Sequence, residues 1–191
     1  MEEKRSRLQI FRYNAILSIL FFFLSTFYIG TQIKNFDPAR FTISQMSRFL
    51  TPEKLSYFNA IFFIKSFMDL SFTFFVFKFF KLKLYFPISL IWLVAVLSFG
   101  LLGFFPTHLY HNIHLSIVIV MFFTWTLSEH LFANLTKNEG FIYFTNNLIF
   151  IQMVIIFFFV VTKNFNAIFE SIYLFAVFIW IIIFIGKFLR K

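Results

Sequence analysis

Apolar residues in this chain come in six long stretches, separated by short polar breaks. They run from about Tyr13 to Gly30, Tyr57 to Phe80, Phe86 to Phe105, Ile113 to Leu135, Phe141 to Thr162 and Ile168 to Gly186. A helix that crosses a bilayer needs roughly 20 mostly apolar residues. The pattern therefore predicts an all-α polytopic membrane protein, a bundle of six transmembrane helices in which residues 1–191 form a single integral membrane domain.

The breaks carry the residues that end helices. "KLKLYFP" follows the second stretch and sets Pro87 in the first turn of the third, where its missing N–H costs little. "FFPTHLYHN" closes the third at Pro106, and "TKNEG" and "KNFNA" separate the later ones. The connector from Thr31 to Ser56 is the long one. No internal repeat is visible, and the two three-span halves show no similarity to each other. That gives no support to an inverted-repeat transporter.

Polar residues inside an apolar stretch change the picture most, because an ionisable group in hydrocarbon costs about 2.5–3.5 kcal/mol on insertion scales. In "FNAIFFIKSFMDLSFTFF", Lys65 and Asp69 stand four residues apart. At about 100° per residue, Asn59, Lys65, Ser66, Asp69 and Thr73 fall within an arc of roughly 120°, a stripe that should face other helices. Lys65 and Asp69 are thus a candidate intramembrane site for a proton or ion. The plainer reading is a self-neutralising pair with Lys65 snorkelling outward. Lysine before aspartate is the weaker order on a helix, which leaves room for another partner.

Composition agrees with the pattern. The chain is 60% hydrophobic and 13% charged, against about 25% charged in a soluble domain, and its mean hydropathy is +0.85. Phenylalanine accounts for 37 residues, read as Phe replacing Leu among lipid tails. Cysteine is absent, which excludes disulfides, thiolate metal sites and a cysteine nucleophile.

The net charge of +9 reads first as a topology signal. With the N-terminus cytoplasmic, Lys4, Arg5, Arg7, Arg12, Lys78, Lys81, Lys83, Lys137, Lys187, Arg190 and Lys191 lie inside. Lys34, Arg40, Arg48, Lys54 and Lys163 lie outside. This bias predicts both termini cytoplasmic and residues 31–56 as a long outer loop of a protein in the cell membrane. The first stretch lacks a small-residue cleavage site and is read as a retained anchor.

Three of the four histidines, His108, His111 and His114, are spaced by three residues at the third break. On a helix each would be offset from the next by about 60°, so they diverge. Pro106 and Asn112 suggest a turn, and a turn keeps convergence open. Glu170 lies one turn into the sixth stretch, at the depth of His114. His111, His114 and Glu170 are therefore a candidate outer-face polar cluster, able to activate water if a metal were bound. HExxH is absent, and the preferred reading has no metal and no cofactor. His108 and His111 are expected to be wet, with His114 just inside the fourth span and bonded to a neighbour. Glu129 and His130, about 22 Å from His114 along a helix, are read as solvated near the inner surface. Gly100 and Gly103 permit close helix packing.

No Walker motif, G-x-S-x-G or dinucleotide fingerprint occurs, and no basic domain outside the membrane could hold nucleic acid. The "FTISQMSRF" of the long loop, the "YFN" opening span two and "GLLGFFPTHLYHNIH" resemble the six-span prokaryotic membrane proteins of domain of unknown function 998, within the DRAM/Frag-like group. In that resemblance Pro106 and His114 hold the matching proline and histidine. It implies a fold, a topology and a prokaryotic plasma membrane as the location, and no reaction. The reading that follows is a non-enzymatic membrane protein whose partners are the bilayer and, beyond it, lipids or other membrane proteins. The alternatives are an outer-face metal-assisted hydrolase and a small proton- or ion-coupled transporter using Lys65 and Asp69.

Overall fold

A computed structural model of the protein describes residues 9–162 and 166–189, with the backbone alone for residues 159 and 160. Lys4, Arg5, Arg7, Lys163, Arg190 and Lys191, which entered the charge count, lie outside the described residues. Among those residues the secondary structure is helical, with no strand. Six α-helices follow one another: α1 (Asn14–Thr31), α2 (Pro52–Phe79), α3 (Pro87–Leu101), α4 (His111–Thr136), α5 (Glu139–Thr162) and α6 (Ala167–Phe188). Short 3-10 helices at Ile10–Tyr13 and Ser44–Phe49 precede α1 and interrupt the long connector. Each helix packs on the next, and α6 returns against α1.

Among the described residues, five of the helices are long and apolar enough to cross a membrane, and α3 is shorter. A helix satisfies its own backbone, so an apolar stretch in lipid has little alternative to being one. The third stretch was expected to span Phe86–Phe105, but its α-helix stops at Leu101. The chain then continues as hydrogen-bonded turns, with Gly103 N bonded to Gly100 O and Phe105 N to Leu101 O. Two glycines lower helix propensity there, and Pro106 disfavours helical geometry at Phe105. Gly103 also abuts α2, where an added β-carbon would stand 2.9 Å from the Asn59 carbonyl oxygen.

Helix ends follow local chemistry. Pro52 and Pro87 open α2 and α3, and the Asn166 side chain accepts the Phe169 N–H to cap α6. α2 closes on Lys81 in the left-handed region (φ 54°). The Leu82 N–H reaches Phe77 O at 2.8 Å and the Lys81 N–H reaches Lys78 O at 3.3 Å. These are the two bonds of a Schellman closure, made with lysine where glycine is usual.

The exterior is apolar: Leu24, Phe27, Phe67, Phe123, Phe150 and Phe157 are all exposed. The interior holds two hydrophobic cores. One gathers Trp92, Phe132, Phe141, Trp180 and Phe184, and the other Phe22, Phe58, Phe62, Phe99 and Met121. Along α2, Phe58, Ile61 and Phe62 belong to the second core and Phe72, Val76 and Phe77 to the first. Between them stand Lys65, Ser66 and Asp69, all buried. Ionic residues inside and phenylalanines outside reverse the arrangement of a water-soluble domain. The chain is an all-α protein with the helices of a multi-pass membrane protein.

Candidate functional site

Lys65 lies at the midpoint of α2, and its side chain and that of Asp69 are each 3% exposed. It does not snorkel: Lys65 Nζ donates to Asp69 Oδ2 at 2.5 Å. The ammonium also sits 4.0 Å from the Phe99 ring centre and 5.4 Å from that of Trp125. The negative faces of two rings thus take up charge that water would otherwise solvate. Asp69 Oδ1 accepts from the Ser18 hydroxyl of α1. Ser18 has one proton, and the Ala15 carbonyl 2.9 Å away competes for it. Four helices therefore meet at one ion pair: α1 through Ser18, α2 through the pair, α3 through Phe99 and α4 through Trp125. Around it, Thr73 Oγ1 donates to Asp69 O, and Ser66 Oγ donates to Val96 O of α3.

A second polar group lies one layer away. Tyr173 of α6 donates to Phe122 O at 3.0 Å, and its oxygen is 2.7 Å from Thr126 Oγ1. With the tyrosine proton committed to a carbonyl, Thr126 is the donor between them. A cavity of about 10 Å³ joins Tyr173 to Lys65, with Phe99 and Trp125 among its walls. Trp125 also borders a similar cavity of about 10 Å³, lined with it by Glu129, Ser128, Trp92 and Trp180.

Glu129 corrects the sequence reading. It is not solvated near a surface but 1% exposed, because helices α3 and α6 cover it with Trp92 and Trp180. Its neighbour His130 is half-buried and bonded to Asn146 Oδ1 at 3.1 Å and to the Asn134 amide at 2.9 Å. Gln152 of α5, a lone polar residue in "IFIQMVIIF", is also fully buried. That isolation was a usable signal, since an amide facing lipid would lose its hydrogen bonds. Ser18, Thr126 and Tyr173 gave none, because hydroxyls are common in membrane helices.

At the connector end, His108 is exposed, with Nδ1 3.1 Å from Ser47 Oγ. His111 is exposed at the start of α4. His114 is buried, and its Nδ1–H donates to Phe105 O at 2.7 Å. That fixes the tautomer by inference from the bond and leaves Nε2 an acceptor, buried without a partner. Glu170 Oε2 accepts the Ile43 N–H at 2.6 Å, tying α6 to the long connector. His114, Glu170 and Ser44 line one cavity of about 30 Å³, which His111 does not reach. Among the described residues no group of three His, Cys, Asp or Glu side chains is placed to hold a metal ion.

These cavities hold at most a water molecule or two, since one water needs at least about 10–15 Å³. Phe99, Met121, Phe122 and Leu174 border both the His114 cavity and the Lys65 cavity. The buried polar groups are thus strung along the bundle with thin apolar walls between them. No family model matches the chain, and neither a curated protein nor a solved structure does.

Proposed function

We propose that the protein is a proton-coupled membrane protein of the transporter kind, six-spanning with both termini cytoplasmic, in which the Lys65–Asp69 pair binds and releases the coupling proton. The observation that carries this reading is the meeting of four helices on one buried ion pair. Ionisable groups at such depth mark proton and ion pathways. A proton on Asp69 removes the anion that Lys65 and Ser18 both address. The ammonium then loses its charge partner and the Ser18 bond between α1 and α2 weakens, leaving the Asn14–Ser71 bond between them, so protonation changes helix packing. Water-sized cavities along the bundle suit protons and single waters rather than an organic solute. The test is proton entry into vesicles containing the protein, driven by a potassium diffusion potential and read with an enclosed pH dye. The full chain should raise the rate above that of empty vesicles, and Asp69→Asn should return it to that rate. Full-chain vesicles no faster than empty ones would overturn the reading.

One observation favours a second reading, lipid binding. A groove of about 530 Å³, open to the exterior between α1 and α6, is lined by Phe23, Pro38, Ile168, Ser171, Ile172 and Phe175. It fits an acyl chain entering from the bilayer. Native mass spectrometry after detergent extraction should then retain a lipid that Ser171→Phe displaces.

A further inference from the structure

Glu129 is a buried carboxyl that the Lys65–Asp69 reading does not use. Gln152 of α5 lies beside it. Both carboxyl oxygens of Glu129 and both polar atoms of the Gln152 amide are enclosed, yet none of the four completes a hydrogen bond. Native interiors leave few such atoms, and each calls for an explanation. Here four fall on two adjacent side chains of neighbouring helices.

The surroundings offer no other remedy. From α3 the carboxyl faces Trp92 and Ala95, and from α6 Trp180 and Ile181. Tyr173 of α6 is the titratable group near it, but its hydroxyl is already committed to Phe122 O and Thr126. Lys65 of α2 lines a different cavity, which shares Trp125 with this one, and is bound to Asp69. The adjacent His130 is bonded to Asn134 and Asn146. From α5, the polar side chain that reaches the carboxyl is the uncharged Gln152.

Hydrogen-bond inventory then decides what the pair can do. A carboxylate only accepts, whereas a primary amide presents one accepting oxygen and a donating nitrogen. Face to face, a carboxylate and an amide make one bond and set two oxygens against each other. Add one proton to the carboxyl and the two groups become complementary. The carboxyl O–H donates to the amide oxygen, and the amide N–H donates to the other carboxyl oxygen. All four atoms are then engaged in one closed ring.

We propose that Glu129 and Gln152 form a proton-operated latch between α4 and α5, closed by two reciprocal bonds when Glu129 carries a proton and loosened to at most one when it does not. The step is an addition: hydronium gives its proton to a Glu129 oxygen and leaves as water. The latch stands independently of the Lys65–Asp69 reading and supplies a second proton-binding site on another pair of helices. It also assigns Gln152 a positioning role, because the amide is what makes the protonated form fit.

Infrared difference spectra of the full chain in vesicles, acidified minus alkaline, test this directly. A carboxyl C=O band should appear on acidification and vanish in Glu129→Gln. In Gln152→Leu the band should persist but move to higher wavenumber, because the carbonyl loses its amide donor. Asp69→Asn should leave it in place, which separates this site from the first. A band unchanged in Glu129→Gln, or no carboxyl band in the unmodified chain, overturns the site. A band unmoved by Gln152→Leu overturns the latch, and that comparison remains decisive if Glu129→Gln does not fold.

Discussion

Gly100 of α3 lies against Ser66 of α2 so closely that a β-carbon on the glycine would stand 2.9 Å from the serine Oγ and 3.0 Å from its Cβ. Ser66 is itself held, since its hydroxyl donates to Val96 O. Gly100→Ala should therefore destabilise the protein by about 1–3 kcal/mol, the usual cost of overpacking. Adding Ser66→Gly should recover part of the loss. Thermal unfolding in detergent measures both.

Breaking the ion pair from one side should be worse than removing it. Asp69→Leu leaves a buried ammonium with only aromatic faces, at an expected cost of about 3–5 kcal/mol. Combining it with Lys65→Met should cost less than Asp69→Leu alone. Phe67→Leu, on the exposed face, should change stability by no more than about 0.5 kcal/mol. A double variant as unstable as Asp69→Leu would show that the carboxylate answers chiefly to Ser18.

Glu170 carries the Ile43 amide, and in Glu170→Ala that buried N–H loses its acceptor. Stability should fall by about 1–3 kcal/mol. The loss should be local, so hydrogen exchange should quicken at Ile43 and its neighbours in the connector while the α2 centre stays protected. Uniform acceleration throughout the chain would contradict a local anchor.

Lys81 ends α2 in a conformation that costs a side-chain-bearing residue about 1–2 kcal/mol. Lys81→Gly keeps both closing bonds and removes that strain, so unfolding should shift upward, by about 1 kcal/mol. The same substitution at Lys78, inside the helix, should be destabilising.

The chain has no cysteine, so a single introduced thiol reports its own side of the membrane. Lys54→Cys, exposed near the start of α2, should react with an impermeant maleimide in intact cells, in keeping with the distribution of basic residues. Reaction only after cell lysis would reverse the proposed orientation.

The elements were readable because apolar length is a strong constraint in lipid, and the Lys65–Asp69 stripe because ionisable groups must face protein. Partners across helices were not readable in the same way. Nothing near Ser18 in sequence indicates that its hydroxyl meets Asp69, 51 positions away. Glu129 was misplaced for a related reason. It lies about 10 Å from the end of α4, a depth that position alone assigns to an interface, whereas the tryptophans of α3 and α6 decide its burial. For the histidines, helical geometry was sufficient guide: His111 and His114 diverge, one exposed and one buried. The shortening of α3 was written in Gly100, Gly103 and Pro106, but those residues say where a helix weakens and not that the turns beyond it persist.

Thirty-seven phenylalanines make helix surfaces that are nearly interchangeable. A helix sliding along such a surface by one turn, about 5.4 Å, meets another ring of the same shape. The polar layer between the two cores forbids that slide. Moved one turn, α1 would offer Asn14 or Phe22 to Asp69 in place of Ser18, and α3 would offer Lys65 something other than Phe99. The ion pair thus indexes the helices against one another, supplying the vertical register that the phenylalanines cannot.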